Sequence, residues 1–384
     1  MRRNSIVYSL IFLLAISMAF LAGVNYKGEI FAQNSSIDRN LQVLSQAYYF
    51  ITNNYVEKVD GKNVSYKGIE GMVSSLNDPY SYFMRPEDYK AMGEEFQGSF
   101  EGIGVEIGMN ENKQIVVISP IDDTPAQKAG LKTGDIIIKV EDKSTEGMNL
   151  DQVSSLIRGP AGTKVRLTIQ REGEKNPVEI TVTRAVIRLL TVSSKLLDDN
   201  IGYIKIKAFR EPTTSELNNA LDQILPKAKK GIILDLRNNP GGLLSSAIEV
   251  ASFFIQKGTV LYAEDRNGNR EQYDIIPSLY RVKVPMVVLV NEGSASASEI
   301  VAGALQDYKR ATVVGTKTFG KGLVQSVVQL ADGSAISLTV QRWLTPKLRY
   351  IHKDGIKPDI QLDWDQKGTD IQLERAKEVL LGKK

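Results

Sequence analysis

The sequence predicts a multidomain α/β protein, with a helical unit, a mostly-β module and an α/β core following one another along the chain. Three observations predict it. Apolar residues recur at helical spacing before residue 90, short β-rich runs separated by Gly, Pro and Asp turns fill 97–186, and strands alternate with helices from there on. The 384 residues suffice for two or three domains, each with its own core.

At the N-terminus, Arg2 and Arg3 precede a run at 5–24 that carries no charge. That is the pattern of an export signal with its positive flank inside. The run approaches the roughly 20 residues that span a bilayer. No A-x-A cleavage site ends it, so an uncleaved anchor is favoured over a removed signal peptide. In both cases the rest of the chain is expected outside the cytoplasm, in the periplasm or cell envelope. Residues 25–36 read as a linker, and 36 to about 89 as helical, within a first region spanning 25–96. Leu41, Leu44, Ala47, Tyr48 and Ile51 share one helix face, which is expected to pack on another element, and Asn77-Asp78-Pro79 marks a turn.

Within 97–186 the strands expected are 115–118, 135–140, 164–170 and 178–183, with helices at 125–129 and 150–157. The last region, 187–384, reads as strands at 201–206, 231–236, 259–262, 284–290 and 312–314. Helices at 214–225, 244–256 and 295–307 alternate with them, and 370–381 forms a terminal helix. Alternation of this kind predicts a largely parallel sheet.

Composition narrows the chemistry. Hydrophobic residues make up 42% and charged residues 24%, as in ordinary globular proteins. The net charge of +3 comes without any block of Lys or Arg, which disfavours nucleic acid as a partner. The absence of cysteine removes disulfides, thiol catalysis, lipid attachment through Cys and Cys-ligated metal sites. Histidine occurs once, as His352, whereas zinc sites usually need two or three and most hydrolytic sites use one as base. A hydrolase of this composition would take Lys, Asp or Glu as its base. His352 itself reads as a structural or surface residue, and no metal or cofactor is implied.

Three stretches carry candidate chemistry. The apolar strand at 284–290 turns through Asn291-Glu292-Gly293 into Ser294-Ala295-Ser296-Ala297-Ser298-Glu299 at a helix start. Reacting groups in α/β proteins favour that location, although Ser296-x-x-Glu299 fits a capping box equally well. The second stretch, Gly315 to Gly322, nearly matches a phosphate-binding loop, but Gly322 replaces the magnesium-binding hydroxyl and a β-like run follows, so the nucleotide reading fails. It leaves Lys321 on a close-approach loop, with Leu323 and Gln325 on the same face of an extended segment. Gln325 can then orient the amine, or a nearby backbone, as a third member. Burial can depress a lysine pKa by about 3–5 units, enough to make it a base; taken alone, Lys321 is a solvated charge. The third stretch ends an apolar strand in Asp235-Leu236-Arg237-Asn238-Asn239-Pro240-Gly241-Gly242. Free amides in such a turn can line an oxyanion site, while Asp235 and Arg237 read as a structural pair.

Together these stretches resemble the carboxyl-terminal processing protease family, also called tail-specific proteases. The resemblance rests on Asp78-Pro79-Tyr80-Ser81, on 234–242, 291–300 and 315–322 as quoted, and on Gly355-Ile356-x-Pro358-Asp359, over nearly the whole chain after the N-terminal run. It implies a ClpP/crotonase-like α/β protease core with an inserted PDZ domain. It further implies a Ser-Lys dyad of Ser296 and Lys321, assistance from Gln325, and oxyanion amides from Gly242, Ala297 and Gly241. Ser294 and Ser298 are then structural.

The mostly-β module resembles that PDZ domain through Gly130-Leu131-Lys132-Thr133-Gly134-Asp135 and through Gly102-Ile103-Gly104-Val105, where a carboxylate-binding loop would stand. Such a loop presents amides to a free C-terminus while the peptide adds to a sheet edge. Arg158 is a candidate contact to substrate or core. The implied activity is peptide-bond hydrolysis in exported polypeptides with apolar C-termini; the membrane is a partner if the N-terminal run is retained, and a homo-oligomer is compatible. Two other readings stand beside it: a non-catalytic PDZ adaptor at the cell envelope, and an acyl hydrolase acting on a small thioester.

Overall fold

The computed structural model describes residues 39–364 and 367–383. The run at 5–24, where the export signal or anchor is expected, and the linker at 25–36 lie outside the described residues. Among the described residues no helix is long and apolar enough to cross a membrane. The chain divides into two compact units at Asn77–Asp78.

The first unit contains helices α1 (Arg39–Asn54) and α2 (Gly61–Ser74). Asp60 caps α2 by accepting the amide of Lys62 at 3.0 Å. Leu41, Leu44 and Ile51, expected to pack, stay exposed.

The second unit opens on an extended arm rather than the helix expected up to residue 89. Asn77 takes a left-handed φ of 51°, and Asp78 accepts the Tyr80 amide at 3.0 Å and the Ser81 hydroxyl at 2.6 Å. These local bonds, with Pro79 disfavouring helical backbone before it, turn the chain outward. Strand β1 (Tyr82–Met84) then pairs antiparallel with Ser337, Ile336 and Ala335. Helix α3 (Pro86–Phe96) and strand β2 (Ser99–Gly102) follow.

The mostly-β module has β3 (Val105–Met109), β4 (Ile115–Pro120), α4 (Pro125–Lys128), β5 (Ile136–Val140), β6 (Lys143–Ser144), α5 (Leu150–Ile157), β7 (Lys164–Gln170) and β8 (Val178–Thr183). Its sheet runs β3-β4-β5-β7-β8, with β6 on β5, so β3 is an edge. Alternate residues Val165, Leu167 and Ile169 point into a core shared with Val117, Ile137 and Val153. Strand β9 (Ala185–Arg188) returns to pair with β2, so the module enters and leaves through one ribbon.

The remaining elements form the core: β10 (Val192–Leu197), β11 (Ile201–Ile206), α6 (Thr213–Ile224), β12 (Gly231–Asp235), α7 (Leu244–Phe254), β13 (Thr259–Asp265), β14 (Arg270–Asp274), β15 (Met286–Val290), α8 (Ala297–Asp307), β16 (Thr312–Gly315), β17 (Leu323–Gln329), β18 (Ala335–Leu344), β19 (Ile360–Gln361) and α9 (Ile371–Leu380). The main sheet runs β10-β11-β12-β15-β16-β19, parallel except for β10. Every residue of β12 and β15 is buried, which is why β15 reads as an unbroken apolar run and β12 as one up to Asp235. Residues of α6, α7 and α8 share one core with Leu234 and Val288, while Ala376 and Leu373 of α9 pack with Ile233 and Val287 of the other face.

Strand β13, read as part of the parallel core, belongs instead to an antiparallel sheet, β1-β18-β13-β14 with β17 on β18. An apolar run states that a strand is buried; it does not name the partner.

Candidate active site

Strands β12, β15 and β16 are neighbours running in the same direction, and the three stretches singled out above are the loops at their carboxyl ends. The fold therefore brings the Pro240-Gly241-Gly242 turn, Ser296 and Lys321 to one edge of the sheet. Ser296, Ala297, Gly242, Lys321, Gln325 and Tyr80 border a single cavity of ≈ 370 Å³.

Ser296 precedes α8 with φ 52° and ψ −113°, a conformation that costs a non-glycine residue on the order of 1–3 kcal/mol. Its neighbours hold it there. The Ala295 amide and the Ser298 hydroxyl both donate to the Asn239 carbonyl, at 3.0 and 2.9 Å, and the Ser294 hydroxyl donates to the Leu236 carbonyl at 2.8 Å. The outer serines are thus fully buried and committed. The middle one is half-buried and borders the cavity.

Glu299, legible in the sequence only as half of a cap, does more. Its fully buried carboxylate accepts the Ser296 amide at 2.9 Å and the Lys321 amide at 2.8 Å on one oxygen. The other oxygen accepts the Thr318 hydroxyl at 2.5 Å and the Gly320 amide at 2.7 Å. The loop carrying Lys321 is further braced by the Trp343 indole, which donates to the Lys321 carbonyl at 3.0 Å, and by the Lys353 amide on the Gly320 carbonyl at 2.9 Å.

The Lys321 ammonium is 4.9 Å from the centre of the Tyr80 ring. Burial pushes its pKa below the ordinary lysine value, against the opposing pull of Asp78. Burial tends to raise Asp78, but the Ser81, Thr339 and Tyr80-amide hydrogen bonds, with the field of His352, together hold the carboxyl below its usual range. Gln325 borders the same cavity but donates to the Thr339 hydroxyl at 3.0 Å, and among the described residues it makes no hydrogen bond to Lys321.

The glycine turn meets the serine closely. A Cβ on Gly241 would stand 2.8 Å from the Ser296 Cβ and 3.0 Å from the Ala297 amide, and one on Gly242 would stand 2.0 Å from the Phe209 carbonyl. Of the three amides expected to face an oxyanion, that of Gly241 is already bonded to the Asn239 side chain at 2.9 Å. The amides of Gly242 and Ala297 donate to no acceptor among the described residues. Asp235 and Arg237 form the structural pair expected, at 2.7 Å, and Asp370 joins them at 2.8 Å.

In the β module, Gly102, Ile103, Gly104 and Val105 form the passage from β2 to β3. Gly104 has φ 78°, and a Cβ there would lie 2.4 Å from Thr124. Arg158 stacks over the Phe100 ring at 4.9 Å and does not border the Ser296 cavity.

A model of peptidase family S41 matches residues 200–362, a PDZ domain model matches 116–171, and a model of the activating protease CtpB N-terminal domain matches 21–88. Carboxy-terminal processing protease CtpA of Bacillus subtilis (strain 168) is 40% identical over 367 residues, covering 94% of this chain and 78% of its own. The chain belongs to the carboxy-terminal processing protease family. CtpB of the same organism is 40% identical over 333 residues, covering 86% of this chain and 69% of its own. The solved structure of a photosystem II D1 C-terminal processing protease is 32% identical, with a TM-score of 0.53 over 90% of this chain and 98% of its own. As a family member the chain is a serine peptidase with an S41 core and a PDZ domain. The departures from sequence expectation include the arm after the Asn77-Asp78-Pro79 turn, β13, the exposed Leu41, Leu44 and Ile51, and the bonded Gly241 amide.

Proposed function

We propose that this carboxy-terminal processing protease cleaves through a Ser-Lys dyad, Ser296 as nucleophile and Lys321 as base. The observation that carries the reading is the meeting of Ser296, Lys321 and two uncommitted amides, those of Gly242 and Ala297, at one cavity. Neutral Lys321 takes the Ser296 proton as Oγ attacks the scissile carbonyl, and the two amides receive the oxyanion. The Lys321 ammonium then protonates the departing amine, leaving an acyl-enzyme, and the restored amine activates the water that hydrolyses it. Gln325, one step from Lys321 along the cavity wall, orients the amine or the substrate backbone. Met92, Phe96, Leu244, Ile300 and Trp343 on the same wall favour an apolar substrate side chain.

Substrate choice is assigned to the PDZ domain. The unpaired edge of β3 faces α5, and a peptide strand can add there with its carboxylate at the Gly102–Val105 loop. A second cavity of ≈ 780 Å³, bordered by Glu106, Asp122, Lys207 and Gly242, lies between that edge and the glycine turn. The charge-free run at 5–24 supports export and, if retained, anchoring.

The test uses a peptide with an apolar C-terminus and its C-terminally amidated twin. Cleavage is expected from the parent and lost in Ser296→Ala and Lys321→Ala, with the amidated peptide cut far more slowly. Parent-like rates in either variant would remove the dyad; equal rates on both peptides would remove selection by the carboxylate.

A further inference from the structure

The arm before β1 contributes two residues to the cavity wall, Pro79 and Tyr80, from a segment more than two hundred positions away from Ser296 and Lys321. The arm is not loosely placed. Asp78 holds the Tyr80 amide and the Ser81 hydroxyl, and the Ser81 oxygen in turn accepts the Thr339 amide at 3.0 Å, locking the arm onto β18. This brings the Tyr80 ring under the Lys321 amine at 4.9 Å and the Asp78 carboxylate into its field.

A base that works from an apolar cavity has a difficulty in the step that matters. The proton it takes from the serine turns a neutral amine into an ammonium, and that charge has lost most of its water. Stabilisation aimed at the charge as it develops lowers the barrier, because it is stronger in the transition state than in the ground state. The face of an aromatic ring and a nearby carboxylate both supply it.

We propose that Tyr80 and Asp78 are positioning residues for the reaction: the ring face of Tyr80 and the charge of Asp78 together receive the Lys321 ammonium as it forms. This rests on the reading of Lys321 as the base. The other titratable groups near the amine are differently engaged. Glu299 is spent on backbone amides and on the Thr318 hydroxyl; Tyr82 borders the cavity from the arm. Arg342 of β18 lies over the Tyr350 ring. His352 meets the far side of the arm, its ring edge-on to Tyr80 at 6.4 Å, and its field falls on Asp78.

Two consequences of opposite sense follow from one loss. Without the ring face or the carboxylate, the ammonium is less stable, so a larger share of Lys321 is neutral at a given pH and the acidic limb of kcat/KM moves to lower pH. The same loss raises the barrier, so the plateau rate falls. A merely structural disturbance would lower the rate without moving the limb downward, and opening the cavity to water would move it upward.

The experiment reads the Lys321 charge directly. The full chain carrying Ser296→Ala is pulsed with acetic anhydride across a pH series, and acetylation at Lys321 is quantified by mass spectrometry in otherwise parental protein, Tyr80→Phe, Tyr80→Leu and Asp78→Asn. The midpoint is expected to drop by about half a pH unit or more in Tyr80→Leu, to drop in Asp78→Asn, and to stay in place in Tyr80→Phe, which keeps the ring. In the Ser296 enzymes the acidic limb should follow the same order, with a several-fold lower plateau for Tyr80→Leu. An unchanged or raised midpoint in Tyr80→Leu, or a Tyr80→Phe that behaves like it, overturns the proposal. Both Tyr80 variants leave the Asp78 hydrogen bonds in place, so they decide the matter without Asp78→Asn. Should Lys321→Ala still cleave peptide while the midpoints shift as expected, the dyad reading fails and the account of the Lys321 charge stands.

Discussion

The buried Glu299 carboxylate is hydrogen-bonded to the backbone of Lys321 at 2.8 Å, and the same oxygen takes the Ser296 amide at 2.9 Å. One carboxylate thereby sets the spacing of two loops that leave different strands. In Glu299→Gln the side-chain NH₂ must face one pair of donors. It will turn toward Thr318, whose hydroxyl can reverse and accept, leaving the Gly320 amide unsatisfied. The expected loss is about 1–3 kcal/mol of stability, with a fall in kcat on the order of 10²-fold if the loops shift by about an ångström. Glu299→Ala should be worse on both counts. Thermal unfolding and steady-state kinetics on the same preparations check this, and an unaltered kcat in Glu299→Gln would show that the loops keep their spacing without it.

Lys321 also makes a prediction about stability. Its folded pKa lies below the ordinary lysine value because burial disfavours the charge. Between the folded and the ordinary value the unfolded chain binds more protons, so stability rises with pH across that window. Replacing the group by an uncharged side chain of similar length removes the dependence. Lys321→Met is therefore expected to unfold at a higher temperature than the parent near neutral pH, the advantage shrinking as pH climbs through the ordinary lysine value of about 10.4. Melting curves over a pH series check it; an advantage that grows with pH would contradict a depressed pKa.

Gly242 tests the oxyanion reading. Its φ of 140° and the Phe209 carbonyl 2.0 Å from any added Cβ mean that Gly242→Ala must displace the turn and with it the free amide. Loss of one oxyanion donor costs about 10²–10³ in kcat, and that is the fall expected, with KM much less affected. Gly268→Ala is the control. That glycine has φ 82° but open space around it, so it carries backbone strain and no displaced amide. A similar kcat loss in both variants would assign the effect to general destabilisation.

Much of the architecture was legible because it is written locally. The fully buried β12 and β15 show as apolar runs, and the helices between strands show their period. Ser296, Lys321 and the glycine turn were legible as a set only through the family resemblance, since each alone fits a cap, a solvated charge or a plain turn. Glu299 was legible only as a cap, because its bonds to Thr318, Gly320 and Lys321 cross 19 to 22 positions and depend on β15 lying beside β16. Tyr80 was hidden for the same reason. Its arm is turned by Asp78 but placed by β18, whose Thr339 is 258 positions from Ser81. Helical spacing before it carried the expected helix too far.

The terminal helix offers the last test. Arg237, nearly buried, directs Nη1 and Nη2 to the Asp370 carboxylate at 2.9 and 2.8 Å and Nε and Nη2 to Asp235 at 3.0 and 2.7 Å, and Trp364 lies over its plane at 5.3 Å. Asp370 is also the cap of α9, accepting the Leu373 amide at 3.0 Å. The same residue therefore starts the helix and ties it to the strand that leads into the glycine turn. In Asp370→Ala the cap and the bidentate pair go together, yet Arg237 keeps Asp235, so no uncompensated charge is buried. A loss of about 2–4 kcal/mol is expected from the cap and the two charge-assisted bonds. Asp370→Asn, which keeps the cap, should lose less. Because α9 seals one face of the main sheet over Ile233 and Val287, the loosening should show as faster amide exchange across Ile371–Leu380. The site hangs on the other side of Arg237 through the Asn239 bonds, so kcat should fall by less than about tenfold, well short of the loss expected from an oxyanion variant. Exchange confined to the glycine turn, with α9 still protected, would show that the latch serves the site and not the helix.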